Sequence, residues 1–327
     1  MVTFLARFRV DLLLLLVAVS WGSTYLVAKE LVTAGTVLAL LAVRMLLAAG
    51  VMAAIAGVRR KRLTRKEVFA GIPIGVLLAA VFAFETFGIA HTSATNAGLI
   101  ISLTMVFTPV LESVVLRRRL PATFFAAAIV AVVGVVLLAG NGTFEPPGFG
   151  DLLVLGAAVM RAAHVVSMHK LTGGKAMDSL HLTTVQLGTC ALLFTAGSFI
   201  YGDSIPHYLA RLDPRQGVMF LYLVLICTVF AFFVQIWAVR RTSASRVSLL
   251  LGTEPVWAAV IGITIAHDSI GTAGYVGIAL ILTGTAWGRS AEQRHRQVER
   301  EMQPLRSEPR AATPEDENAR TRPNVRR

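Results

Sequence analysis

Long apolar runs alternate with short polar breaks along this chain. Ten runs approach the ~20 apolar residues that a helix needs to cross a bilayer core. They lie at about 11–28, 36–57, 68–90, 94–116, 122–140, 151–169, 180–201, 216–239, 246–266 and 270–288. Leu, Ala and Val dominate them, without the period-two alternation of a barrel strand, so the pattern predicts helices. Arg7 and Arg9 precede Leu12–Leu16, as in a secretory signal peptide, and Ala18-Val19-Ser20 has the look of a cleavage site. The apolar run continues through Tyr25 and Val27, however, and is read as a retained span. The predicted fold class is all-α integral membrane, with ten transmembrane helices.

The polar breaks carry charge unevenly. With the N-terminus inside, 26 of the 31 Lys and Arg residues fall on the inner side, and only Lys29, Arg211 and Arg215 fall outside. Arg44 and Arg161 lie within spans. Positive charge stays cytoplasmic, so both termini are expected there. This distribution accounts for the net charge of +12 without a nucleic-acid partner. Residues 289–327, rich in Arg, Glu and Pro, are expected to form a disordered basic cytoplasmic tail.

Composition agrees and excludes several classes. The chain is 55% hydrophobic and 15% charged, with a mean hydropathy of +0.67, where soluble domains carry about 25% charged residues. A soluble protein this apolar would expose aggregating patches. Cys190 and Cys227 sit inside apolar runs and read as small buried residues, with neither disulfide nor metal spacing. No phosphate-binding Gly-rich loop, His-Glu-x-x-His or Gly-x-Ser-x-Gly occurs, so no catalytic residue, metal or cofactor is expected. Energy for any transport would come from a proton or solute gradient.

The chain also repeats itself. Phe82-Ala83-Phe84, Thr92-Ser93-Ala94-Thr95, Leu99-Ile100 and Thr108-Pro109-Val110 return as Phe230-Ala231-Phe232, Thr242-Ser243-Ala244-Ser245, Leu249-Leu250 and Glu254-Pro255-Val256. Asp11-Leu12-Leu13 is echoed by Asp151-Leu152-Leu153. The halves, 1–140 and 150–288, each hold five spans. An odd number makes the second half enter from the opposite side, giving two inverted five-helix repeats. Such repeats place substrate sites near the midplane, between the halves.

Several of these segments together resemble the ten-helix EamA-type carriers of the drug/metabolite transporter superfamily, over about residues 10–288. They are Trp21-Gly22-Ser23-Thr24-Tyr25, Arg44, Thr92 to Ile100 running into Pro109, Gly150-Asp151-Leu152-Leu153, and Thr242-Ser243-Ala244 running into Leu251 to Val256. The resemblance implies a secondary transporter of the cytoplasmic (inner) membrane, often an exporter, moving small metabolites such as amino acids or drugs by alternating access. The alternative is a membrane scaffold or receptor acting through its tail. An intramembrane enzyme is disfavoured, because Glu85, Glu112 and Glu254 fall at three different depths.

An ionisable group deep in a bilayer costs at least about 2.5–3.5 kcal/mol, so such groups face a cavity or a partner. Glu254 lies near the middle of span nine, and Pro255 after it removes an amide donor and frees the Leu251 carbonyl. That carboxylate could take a proton or hold a cation. Arg161 and His164, three apart, share a face of span six. Arg161 could clamp a carboxylate or neutralise Glu254; His164 could relay protons or be simply packed. Arg44 is expected to pair with a carboxylate or a carbonyl end. Glu85 is expected in an outer vestibule or an ion pair, and Glu112 beside Arg117–Arg119.

Trp21, Ser23 and Tyr25 offer stacking and hydrogen bonds, or an interfacial belt. Asn96, Gln186 and Gln235 are either substrate contacts or interhelix glue. Pro109 and Pro255 are the expected helix breaks, and Gly71-x-x-x-Gly75 a packing seam. Asn141-Gly142-Thr143 reads as a turn.

Overall fold

The computed structural model describes residues 2–32, 36–59, 61–92, 97, 100–115, 120–139, 148–201, 204–261, 264 and 271–307. Among them the regular elements are all helical. In chain order they are α1 (Val2–Leu31), α2 (Val37–Val58), α3 (Arg65–His91), α4 (Thr104–Val115) and α5 (Ala122–Ala139). Then come α6 (Phe149–Thr172), α7 (Ser179–Tyr201), α8 (Ile205–Arg211), α9 (Pro214–Val224), a π-helical segment (Leu225–Phe230) and α10 (Ala231–Val239). The last three are α11 (Ala244–Leu251), α12 (Glu254–Ile261) and α13 (Thr272–Ser307).

Five described helical runs are long and apolar enough to cross a membrane: Val37–Val58, Arg65–His91, Phe149–Thr172, Ser179–Tyr201 and Pro214–Val239. Ile100–Val115 and Ala122–Leu137 are shorter apolar helices. Local chemistry sets several helix starts. Thr64 and Glu67 form a reciprocal cap on α3, each side chain accepting from the other's backbone N–H. Asp213 caps α9, with Pro214 in the first turn. Ser243 caps α11.

Large apolar side chains face outward: Phe69, Leu192, Phe199 and Ile200 are each at least 71% exposed. Polar and charged groups such as Arg44, Glu112, Gln186 and Glu254 are buried. That inside-out distribution is what lipid as solvent permits. The main apolar core joins α1, α2, α3, α6, α7 and the α9–α10 run.

Helix pairing is regular. α5 packs along α13, α2 along α7, and α3 along both α6 and α7. α1 packs against α12, α11 and the α9–α10 run, and α4 against α6 and α11. Small residues permit the closest approaches. A Cβ at Gly75 would lie 2.6 Å from Thr189 Cβ and 2.7 Å from the Gln186 carbonyl, so the Gly71/Gly75 seam joins α3 to α7 as expected. A second seam escaped the sequence reading: a Cβ at Gly134 would lie 2.6 Å from the Gly277 carbonyl, where α5 meets α13.

Three expectations meet a different structure. The run at 246–266 is not one helix: α11 ends before a turn at Gly252-Thr253, and α12 begins at Glu254. The break thus precedes the Glu-Pro pair. Pro109 lies inside α4, and the interruption nearest it is the turn at Leu103. Finally, α13 runs through Ser307, past the expected boundary at 288. Ala291, Glu292, Gln293 and Arg294 are strong helix formers with no breaker among them. Residues 308–327 lie outside the described residues.

Candidate functional site

Polar contacts gather at three levels. The first level is the end where α3, α7 and α11 begin and α6 and α10 finish. There Arg246 binds Asp11 bidentately, Nη2 at 2.8 Å from both carboxylate oxygens and Nε at 3.1 Å from Oδ1. Glu112 accepts from the Ser245 backbone N–H at 2.7 Å and from its hydroxyl. Arg117–Arg119, the partners expected for Glu112, lie outside the described residues. Nearby, His181 Nδ1 lies 3.0 Å from Glu67 Oε2, and Arg240 Nη1 donates to Ser179 Oγ at 2.6 Å. Asp178, in the turn before α7, lies 3.3 Å from Lys61. Burial works against ionisation of Asp178, but the Leu180 amide and Lys61 outweigh it and hold the carboxyl below its ordinary range.

The opposite end is held more lightly. The Thr92 hydroxyl at the end of α3 donates to Asp151 Oδ1 at the start of α6, and Arg215 reaches Glu30 at 3.1 Å on the surface. Asp11 and Asp151, the two members of the sequence echo, therefore do matching work at opposite ends.

The third level is the interior. Arg161 bridges two acids: Nη2 lies 3.3 Å from Glu85 Oε2 and Nη1 lies 3.4 Å from Glu254 Oε2. Its guanidinium carbon also sits 5.0 Å from the Trp21 ring centroid. The turn at Gly252-Thr253 puts Glu254 in the first turn of α12, where the helix dipole favours negative charge. Three helices, α3, α6 and α12, are tied through one guanidinium. Beside it, Arg161, Glu254, Gln235, Ser102 and Ser248 help line a cavity of ≈ 20 Å³, room for about one water. Gln235 is buried with its Oε1 lacking a protein partner among the described residues.

Trp21 also donates from Nε1 to the Cys227 carbonyl at 3.0 Å. Cys227 returns a thiol contact to the Ser20 carbonyl at 3.2 Å. These contacts lock α1 onto the π-helical segment. Ser23 and Tyr222 share a hydrogen bond of 2.7 Å. His164 Nε2 lies 3.4 Å from Gln186 Oε1, and its ring packs edge-on against Phe232. Gln186 Nε2 has no protein partner among the described residues.

Among the described residues Arg44 makes neither of the pairings expected for it, a carboxylate or a carbonyl end. Nε donates to the Thr228 hydroxyl at 2.8 Å, and the guanidinium lies over Phe82. The structure thus brings Glu254, Arg161, Glu85 and Trp21 into one cluster, with Gln235 alongside. It puts His164 and Gln186 in a second pair, and Ser23 and Arg44 in separate contacts. The Tyr25 side chain and Asn96 lie outside the described residues. Sequence reasoning missed Thr228, Tyr222 and the backbone of Cys227. An unbroken apolar run gives no sign of a π turn.

A bundle of apolar helices that outwardly exposes large apolar side chains and buries paired charges such as Arg161 with Glu85 and Glu254 is the construction of a multi-pass membrane transporter. The sequence profile of the EamA-like transporter family matches residues 8–140 and again 148–287, so the chain belongs to that family, within the drug/metabolite transporter superfamily. An uncharacterized transporter of Archaeoglobus fulgidus is 27% identical over 281 residues, covering 84% of each chain. The uncharacterized transporter YetK of Bacillus subtilis is 26% identical over 241 residues, covering 68% of each chain. A solved structure superimposes with a TM-score of 0.71 at 18% identity, over 88% of this chain and 98% of its own, which shows likeness of fold.

Proposed function

We propose that the protein is a secondary transporter that moves a small metabolite across the cytoplasmic membrane by alternating access, in the export direction. The observation that carries this reading is the Glu85–Arg161–Glu254 cluster. A cation held between two acids at 3.3 and 3.4 Å is a costly arrangement inside a bilayer. It is suited to a site that trades partners: a proton or a substrate group on either carboxylate releases the guanidinium from it. Coupling to protons follows from that exchange.

The rest of the reading is ten spans in two inverted halves, 1–140 and 150–288, with both termini inside. Its support is the repeated sequence, the two profile matches and the pairing of helices. α2 with α7, α4 with α11, and α5 with α13 are the pairs that a two-fold axis in the membrane plane maps onto themselves. The same axis relates α3–α6 to the packing of α1 on the α9–α10 run. Arg59, Lys61, Arg62, Lys170, Lys175, Arg240 and Arg241 lie at the end closed by Asp11–Arg246, which supports a cytoplasmic assignment for that end.

In this arrangement the inner gate is the Asp11–Arg246 pair with Glu112–Ser245, and the outer gate is Thr92–Asp151. The ≈ 20 Å³ between Arg161 and Glu254 is too small for a metabolite, so the gates must part before one enters. The test is solute flux into liposomes carrying the full chain, across a broad metabolite panel. Flux above that of empty liposomes, reduced in Glu254→Gln, supports the reading; flux equal to empty liposomes across the panel overturns it.

A further inference from the structure

Two guanidinium groups stand at the ends of one aromatic row. Trp21 and Phe232 have ring centroids 5.4 Å apart, and Phe232 and Phe82 5.6 Å apart. Arg161 lies over Trp21, at one end, and Arg44 over Phe82, at the other, each 5.0 Å from the centroid. The two arginines are spent differently. Both terminal nitrogens of Arg161 face carboxylates. Arg44, 6% exposed, has one hydrogen bond among the described residues, from Nε to Thr228.

The geometry of that bond fixes the remaining edge. The Thr228 hydroxyl donates to the Leu223 carbonyl at 2.8 Å, one π turn earlier, so toward Arg44 it can only accept. Nε is pinned, and the ring of Phe82 holds the guanidinium plane. The edge bearing Nη1 and Nη2 is then oriented, with no carboxylate in ion-pair distance among the described residues. The hydrogen-bonded contact of Glu85 is with Arg161. A paired Nη edge matches the two oxygens of a carboxylate.

We propose that the Nη edge of Arg44 binds the carboxylate group of the transported solute, with the Phe82–Phe232–Trp21 row contacting its apolar part. That the solute is transported rests on the carrier reading; the binding site itself does not. Charge balance favours a monoanion. Arg44 and Arg161 offset Glu85 and Glu254, so a bound carboxylate adds one negative charge, which one proton on Glu85 or Glu254 removes. Arg44 does not line the cavity beside Glu254, so the solute reaches it when the helices part.

The test uses the full chain in nanodiscs, with phenylacetate and its neutral amide, phenylacetamide, as probes at constant ionic strength. The melting temperature rises with phenylacetate and not with phenylacetamide. The shift is lost in Arg44→Gln and weakened in Arg44→Lys, whose ammonium keeps the charge and lacks the fork. If Arg44→Gln fails to fold, Arg44→Lys and Thr228→Val, which frees Nε, carry the comparison, and each must weaken the shift. No shift with phenylacetate, equal shifts with acid and amide, or an undiminished shift in the variants overturns the proposal. A phenylacetate shift in a protein that moves no solute in liposomes would sink the carrier reading and leave the site standing. Flux of neutral solutes alone, undiminished in Arg44→Gln, would do the reverse.

Discussion

Asp11 and Arg246, 235 positions apart, form a bidentate ion pair with side chains 10% and 6% exposed. The contact fastens α1 to the start of α11. Removing one partner leaves the other charged and buried, which typically costs about 3–5 kcal/mol. Asp11→Asn and Arg246→Gln are each expected to lower the melting temperature sharply. The double exchange Asp11→Arg with Arg246→Asp is expected to recover part of the loss. Thermal unfolding of the purified variants checks this; additive losses in the exchange variant would show that the two residues do not act as a pair.

Close backbone approach predicts which glycines are indispensable. Gly75→Val places new atoms within 3 Å of Thr189 and Gln186, and overpacking of this kind costs about 1–3 kcal/mol. Gly50→Ala, with nothing within 4 Å, is expected to leave stability nearly unchanged. Side-by-side melting curves distinguish the two positions, and equal behaviour would contradict the α3–α7 seam.

Asp178 gives a pH dependence of stability. Its folded carboxyl is held below the ordinary value of 3.8, so the stabilisation is present above that value and is lost as pH falls through the lower folded one. Acid titration of the melting temperature is expected to show a decline in that window. Asp178→Asn should remove part of the decline; an identical titration in the variant would show that the Lys61 and Leu180 contacts contribute nothing. The partly exposed setting, with Lys61 68% exposed, keeps the effect small.

Much of the architecture was legible because hydropathy and charge follow from the solvent. Apolar runs mark helices, and Gly71 and Gly75 mark a seam. Glu254 and Arg161 stood out because each is a charge inside an apolar run, and the structure joins them. Asp11 and Arg246 did not stand out. Both sit near span ends, where charges are ordinary, and only tertiary packing buries them. The echo of Asp11 in Asp151 was the available signal. Thr228 was invisible for another reason: Leu225 to Phe230 reads as uninterrupted apolar helix, and one extra residue in the turn has no compositional mark. The interruption before Glu254 falls at Gly252-Thr253, directly after Leu251, whose carbonyl cannot receive a hydrogen bond from the Pro255 nitrogen.

If Arg161 trades its acidic partners as proposed, flux should depend on the protonation of Glu85 or Glu254. The most direct measurement is solute flux in liposomes with an imposed pH gradient and after its collapse, for the wild-type chain, Glu254→Gln and Glu85→Gln. Gradient-driven flux is expected in the wild type, with its pH dependence lost or strongly reduced in at least one variant that still folds. Wild-type flux and pH dependence in both variants would contradict it.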